Sequence, residues 1–569
     1  MRHLLFAFFF FSALAGFGQQ EKPAEPPVYQ ATPERINNLV HTKLDAKFDY
    51  RKQQLNGKVW LTLKPHFYPT DSLLLDAKGM DIREVAVVKG GRNTKLQHNY
   101  DGLFLNIRLD KTYRHTEPYT IYIDYTAKPN EFKAKGSAAI TDAKGLYFIN
   151  PLGEDSAKPT QIWTQGETEA TSVWVPTIDR PNQRTTQEFY LTVPSKYVSL
   201  SNGRLVSQKK NTDGSRTDYW KMDQPHAPYL FFIGVGDYAI VKDSYKGKEV
   251  SYYVEKEYAP VARRIFGETP GMMALFSRLT GVDYPWVKYA QIVGRDYVSG
   301  AMENTTATLH GEWAQQDARE LTDGNRWEEV IAHELFHQWF GDYVTTESWG
   351  NLTLNESFAT IGSQLWNEYR YGKDAADEER YNSVKGYLGS GSDKKHLVRF
   401  EYKDKEEMFD AVSYNKGGGI LQMLRSFVGD SAFFKSLNLY LTTNKFKAAE
   451  AHNLRLAFEE VTGKDLNWFF NQWFFGAGHP KLNIRYDYQD AARRAMMIVE
   501  QTQEGNLFTL PVTVDVYTGN TPVRHNVWVR NKVDTCYFAA PAKPSLINFD
   551  AEKRLIAETT EDKSLDNYA

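Results

Sequence analysis

The chain has 569 residues, 41% of them apolar and 24% charged, with a formal net charge of −3. That length exceeds one hydrophobic core and predicts about three or four domains. Without a basic excess to neutralise phosphates, the charge argues neither for nucleic acid nor for an anionic membrane as a partner.

The first residues, "MRHLLFAFFFFSALAGFGQQ", place Arg2 before an apolar run from Leu4 to Leu14, then the small residues Ala15, Gly16 and Gly18. This is the layout of a secretory leader cleaved after Gly18, and it predicts a periplasmic or secreted protein. The run is shorter than the roughly 20 residues needed to cross a bilayer, so no membrane span is expected in the mature chain. Cys536 is the only cysteine. An internal disulfide and a cysteine metal cluster are therefore excluded, and the strand-like "DTCYFAA" predicts a small buried hydrophobe there.

A Pro-rich linker, "EKPAEPPVYQATP", is followed by strand-like segments. "KVWLTLKP" (Lys58–Pro65), "LFLNIRLD" (Leu103–Asp110), "YTIYIDYTA" (Tyr119–Ala127) and "QEFYLTVP" (Gln187–Pro194) alternate or are rich in β-branched and aromatic residues. They predict a β-sandwich-like domain ending near "FFIGVGDYAIV" (Phe231–Val241). From about Pro260 the pattern reads as helical. Arg326–Gly341, Leu354–Gly372, Gly417–Gly429 and Asn453–Gly463 carry apolar residues at three- and four-residue spacing and stop at glycine. Beyond Gly476 strands return, as "FTLPVTVDVY", "VRHNVWVRN" and "CYFAAP", and the polar end "ETTEDKSLDNYA" reads as a linker.

The chemistry concentrates in "HELFHQWFGDYVTTESWGNLTLNESFA", His333 to Ala359. A helix starting near Asn325, capped by Asn325 with Glu328 and stopped at Gly341, puts His333 and His337 on one face, four residues apart. Glu334, beside the first imidazole, is placed to act as a base on a water. The five-residue pattern alone is only moderately specific; the rival is a helix with two satisfied core histidines. Glu356 weighs against that rival, with eighteen residues between it and His337 and a place near the start of the next helix. Two His and one Glu leave a fourth coordination position open, as catalytic rather than structural zinc sites do.

H-E-x-x-H with a downstream Glu at this distance resembles the gluzincin metallopeptidases, specifically the aminopeptidase N family. "GAMEN" (Gly300–Asn304), "TQGETEATSVWVPTIDRP" (Thr164–Pro181), "FDAVSYNKGGGILQML" (Phe409–Leu424) and "NWFFNQWFFGAGHP" (Asn467–Pro480) are similar to segments of that family. The resemblance implies a multidomain α+β fold. Its parts are a leader over 1–18, a linker over 19–34 and an N-terminal β-sandwich-like domain over 35–245. A mainly helical, thermolysin-like catalytic domain follows over 246–478, then a smaller β-sandwich over 479–558 and a polar tail over 559–569. Many relatives carry a helical fourth domain where this sequence stops, so a short form or a truncated record is expected.

The resemblance also implies roles. One Zn2+ per chain would be held by His333, His337 and Glu356, with Glu334 as general base and Tyr414 as donor to the oxyanion. Glu303 and the Gln165–Glu167 segment would bind a free α-amine, the Gly300–Ala301 backbone would pair with the peptide, and Met302 would line the first side-chain pocket. The implied activity is removal of N-terminal residues from peptides with a free amine. An endopeptidase of the same clan and a non-catalytic peptide binder remain as alternatives. Ser357 and Thr353 stand where the family commonly has Gly and Trp; neither change removes a ligand or the base. His310 has no identifiable partner and reads as structural.

Overall fold

The computed structural model describes residues 28–563. The expected leader, the start of the linker and the last six residues of the expected tail lie outside the described residues. Among those described, no helix is long and apolar enough to cross a membrane.

The alternation read in the N-terminal third produces strands. In Gln54–Pro65 the residues Leu55, Val59, Leu61 and Leu63 are fully buried while Asn56, Lys58 and Lys64 face solvent, the two-residue period of a half-buried strand. That strand lies in an eight-stranded sheet ordered Arg204–Lys210, Ser215–His226, Thr185–Pro194, Asn37–Asp49, Gln54–Pro65, Tyr119–Ala127, Met80–Lys89 and Arg92–Lys95. Pairing is antiparallel except between Asn37–Asp49 and Thr185–Pro194. A three-stranded sheet (Thr70–Asp76, Phe104–Tyr113, Gln97–Tyr100) contributes Leu73, Leu75, Leu105 and Ile107 to the same core. A four-stranded sheet ends its Gln161–Thr164 strand just before Gln165 and Glu167.

The region after Pro260 is less helical than its sequence suggests. Lys288–Gly294, Ala307–Gly311 and Ala301–Met302 join the preceding strands Tyr238–Tyr245 and Lys248–Glu255 in a five-stranded mixed sheet. Every residue of "KYAQIVG" (Lys288–Gly294) is buried, so no alternation marks that strand. The "GAMEN" segment supplies the sheet's edge through Ala301 and Met302, paired with His310 and Leu309.

Two helices follow, Glu328–His337 and Thr353–Tyr371. The first begins three residues later than expected and has no side-chain cap. Asn325 Oδ1 accepts from the Trp327 N–H instead, and Glu328 accepts from Trp366 Nε1 and the Tyr371 hydroxyl. Glu328 and Glu329 still sit in the first turn, where the helix dipole favours anions. The helix ends at His337, four residues before Gly341, whose φ of +136° suits glycine.

The C-terminal strands form a four-stranded sheet (Val533–Ala539, Arg494–Gln501, Lys481–Gln489, Glu558–Glu561) and a three-stranded one. The expected polar tail is thus partly structured: Glu558–Glu561 pairs in parallel with Lys481–Ile484. Cys536 is half-buried at the edge of this core rather than enclosed in it. Apolar side chains of these sheets and of the helices, Met497 and Trp473 among them, share one continuous core.

The two helices touch closely because Gly362 presents no side chain to Phe336; a Cβ there would lie 2.6 Å from Phe336 Cβ. Phe336 lies between His333 and His337 in sequence, so this contact fixes the spacing between the imidazoles and Glu356. Gly362→Ala is expected to cost about 1–3 kcal/mol through overpacking and to lower the thermal midpoint. A melting curve superposing on that of the parent would show that the helices have room to spare.

Candidate metal centre and active site

The Glu328–His337 helix carries His333 and His337, and the first turn of Thr353–Tyr371 brings Glu356 to them. His333 Nε2 and His337 Nε2 lie 3.3 and 3.4 Å from Glu356 Oε2. One donor atom from each residue falls within 4.8 Å of the others. His337 Nδ1 lies 3.0 Å from the Phe340 carbonyl, which makes Nδ1 the protonated nitrogen and turns the lone pair of Nε2 toward the cluster. Glu356 Oε2 is buried with no hydrogen-bond partner.

Burial by itself would raise the Glu356 carboxyl, but the imidazoles of His337 and His333 bring it down to about 2. Burial lowers His333, whereas at His337 the carboxylates of Glu303, Glu356 and Glu334 overcome burial and push the pKa up. Two imidazoles, a carboxylate oxygen without a partner and an excess of buried negative charge suit a divalent cation with borderline ligand preference. The residues fit zinc.

Around that set lie four further buried acids. Glu334 is 6% exposed, with Oε2 unpartnered; Glu303 and Glu167 are 2% and 5% exposed, each with Oε1 unpartnered. Burial and the neighbouring carboxylates raise all three pKa values, with His337 pulling the other way at Glu303 and Glu334. Asp342 is fully buried and likewise raised, by burial and by Glu303. The half-buried Arg184 guanidinium beside it donates to the Asp342 carbonyl at 2.7 Å and to Thr345 Oγ1 at 2.6 Å. Each raised acid becomes a ready anion once a cation enters the cleft.

Gln338 Nε2 donates to the Glu303 carbonyl at 2.8 Å, tying the edge strand to the histidine helix. The Tyr229 phenol steadies the Glu303 carboxylate and accepts from Asn355 Nδ2 at 3.1 Å. Met302 is buried, its sulfur 3.3 Å from Gln165 Nε2, and Tyr297 donates to Gln165 Oε1 at 2.5 Å. Gly300 is exposed and Ala301 half-buried, so the edge of the sheet stays open.

Tyr414 lies in the Val412–Lys416 turn that opens the Gly417–Val428 helix. Its ring stacks on that of His333 at a centroid distance of 6.0 Å. Burial and the carboxylates of Glu356 and Glu167 raise its pKa, so it stays a donor. The two departures from the family pattern act together. The Thr353 and Ser357 hydroxyls are 2.6 Å apart, and Ser357 donates to the Ser413 carbonyl at 2.6 Å. The turn bearing Tyr414 is thereby bonded to the helix bearing Glu356.

The contacts above thus gather all eleven residues singled out in the sequence around the histidine pair, with Gly300 and Ala301 on the edge strand that leads to Glu303. Tyr229, Asp342 and Arg184 were not found by sequence reasoning; Tyr229 and Arg184 owe their places to contacts over long sequence separations, while Asp342 adjoins the histidine helix. His310 is structural, as expected, but has partners: Gln291 Oε1 at 2.9 Å and Trp327 Nε1 at 3.2 Å. Burial lowers its pKa to about 3, so it stays neutral.

A histidine pair on one helix, a glutamate from the next and a flanking edge strand define a metallopeptidase architecture. Residues 29–230 match the peptidase M1 N-terminal domain and residues 265–473 match the peptidase family M1 domain. The chain belongs to the M1, or aminopeptidase N, family of metallopeptidases, whose members are zinc-dependent in general. It is 29% identical to aminopeptidase M1 of Arabidopsis thaliana over 362 residues, 61% of this chain and 40% of the relative. It is 30% identical to tricorn protease-interacting factor F2 of Thermoplasma volcanium over 356 residues, 60% of this chain and 44% of the relative. The chain therefore spans less than half the length of these relatives. The crystal structure of Legionella pneumophila aminopeptidase A in complex with aspartic acid shares the fold. Its TM-score is 0.80 at 19% identity, covering 95% of this chain and 62% of that one.

Adding zinc to metal-free protein is expected to raise its thermal midpoint, by an amount equivalent to about 2.7 kcal/mol at a hundredfold excess over Kd. Glu334→Gln should keep that response and Glu356→Ala should lose it. Equal responses in the two variants would remove Glu356 from the ligand set.

Proposed function

We propose that the protein is a zinc aminopeptidase that hydrolyses the first peptide bond of peptides with a free amine. One Zn2+ per chain is held by His333, His337 and Glu356. The observation that carries this reading is the pair of buried carboxylates beside the metal cluster, Glu303 and Glu167, each with an oxygen lacking a partner. An ammonium placed between them would satisfy both, whereas an internal peptide bond has no cation to offer.

Zinc supplies Lewis acidity toward the scissile carbonyl and toward water. Glu334 takes the proton of the attacking water and returns it to the nitrogen of the leaving amine. The Tyr414 phenol donates to the oxygen that gains negative charge in the transition state. Glu303 and Glu167 fix the chain end, and the Gly300–Ala301 edge extends the sheet by one strand along the peptide. Met302 and Gln165 form one wall of the pocket for the first side chain. The leader layout around Arg2 and Leu4–Leu14 supports export. The amino terminus of protein recovered from the periplasm or medium should follow Gly18, and retention of Met1 in the cytosol would contradict it.

Glu334→Gln is expected to lower kcat by at least about 10², the lower range for one acid–base group. Glu303→Ala should keep its zinc and lose roughly two to four powers of ten in kcat/KM on free-amine substrates, as for loss of one buried charged partner. On N-acetylated substrates it should lose far less. Equal losses on both would assign Glu303 to the chemistry or the fold, and preferred cleavage of acetylated peptides would make the enzyme an endopeptidase.

A further inference from the structure

The chain turns sharply just after Glu303, and the turn is held in an unfavourable backbone conformation. The Ala307 N–H donates to the Asn304 carbonyl at 2.7 Å, closing a four-residue turn between the edge strand Ala301–Met302 and its partner Ala307–Gly311. Thr306, the third residue of that turn, has a φ of +66°. Glycine or asparagine suits such a position, because a branched Cβ crowds the backbone there. Among the described residues with positive φ, Thr306 is the one with a β-branched side chain.

Strain of this kind persists only where the surroundings over-determine it. Thr306 is fully buried. Its N–H donates to Gln338 Oε1 at 3.0 Å, its hydroxyl accepts from the Gly203 N–H at 2.8 Å, and its carbonyl accepts from the Ala290 N–H at 2.9 Å. Asn202 Nδ2 donates to the Thr305 carbonyl at 2.8 Å. Lys288 completes the set. Its Nζ donates to the Thr306 carbonyl at 2.8 Å, to Thr306 Oγ1 at 3.2 Å and to the Ser201 carbonyl at 3.1 Å.

Burying an ammonium is costly, and Lys288 is only 5% exposed. Burial pulls its pKa down to about 7. Glu249, opposite it on the neighbouring strand, is paired with Lys242 at 3.5 Å. The three hydrogen bonds of Lys288 therefore go to the turn and to the loop at Ser201 that flanks it. The same turn is tied to the site. Gln338, which accepts from the Thr306 N–H, donates to the Glu303 carbonyl at 2.8 Å and follows His337 in the chain. One amide thus grips residues 303 and 306 together. A return of Thr306 to negative φ would rotate the chain between them and swing Glu303 against the histidine helix.

We propose that Lys288 is a positioning residue for the amine anchor. It locks Thr306 in the left-handed conformation that aims the Glu303 carboxylate at the substrate ammonium. This rests on the aminopeptidase reading above and extends it to a residue that touches neither substrate nor metal.

The test uses whichever aminoacyl 4-methylcoumaryl-7-amide the parent enzyme cleaves fastest. Lys288→Met, similar in length but without donors, is expected to lose about 10–100-fold in kcat/KM, chiefly through KM, as for a misplacement of up to about 1 Å. Its zinc-induced rise in thermal midpoint should persist. Glycine at 306 removes the strain that the lysine holds, so Lys288→Met with Thr306→Gly should recover most of the loss. A fall in kcat larger than the rise in KM, a lost zinc response, or a double variant no better than Lys288→Met would each overturn the assignment. Thr306→Val and Thr306→Gly give a second reading with Lys288 in place. Both lack the hydroxyl, but only valine keeps the strain. The valine variant should therefore show the higher KM. A glycine variant as impaired as the valine one overturns the proposal even where Lys288→Met fails to fold. A parent enzyme that cleaves no aminoacyl amide removes the aminopeptidase reading, and this inference with it.

Discussion

Burying an ionised carboxylate with no cation costs several kcal/mol even after the surroundings relax. Five acids, Glu167, Glu303, Glu334, Asp342 and Glu356, are nonetheless buried around a single well-placed base, His337. Only Glu356 is held clearly ionised, through the two imidazoles. The others wait on a charge that the chain does not itself provide. The buried acids and the histidine pair together make a place suited to a cation. The scaffold spends stability to keep it so.

That arrangement survives because rigid elements hold every participant. The histidines sit on a helix pressed against its neighbour at Gly362, and the neighbour's first turn carries Glu356. Glu303 follows an edge strand secured to the same helix through Gln338. Glu167 follows a strand of the N-terminal four-stranded sheet, so the buried acids near the histidine pair come from two different sheets. Catalytic geometry needs such support, since a misplacement of about 1 Å can cost 10²-fold in rate.

The metal cluster was legible because its logic is local: an i, i+4 pair on one helix and one acid in the first turn of the next. The N-terminal and C-terminal β regions were legible because each strand buries one face and so alternates. The central sheet was not, because Lys288–Gly294 is buried on both faces and carries no period. The start of the histidine helix was misplaced because Asn325 bonds forward to Trp327 without capping. Asp342 adjoins the histidine helix, yet nothing local distinguishes an acid destined for full burial from one facing water.

The hydroxyl relay from Thr353 through Ser357 to the Ser413 carbonyl has a steric consequence. It crosses between the helix of Glu356 and the turn of Tyr414 where space is tight, because a Cβ on Gly417 would lie 1.8 Å from Ser357 Oγ. A side chain at Gly417 would therefore have to displace the Ser357 hydroxyl, and with it the bond that joins the turn of Tyr414 to the helix of Glu356.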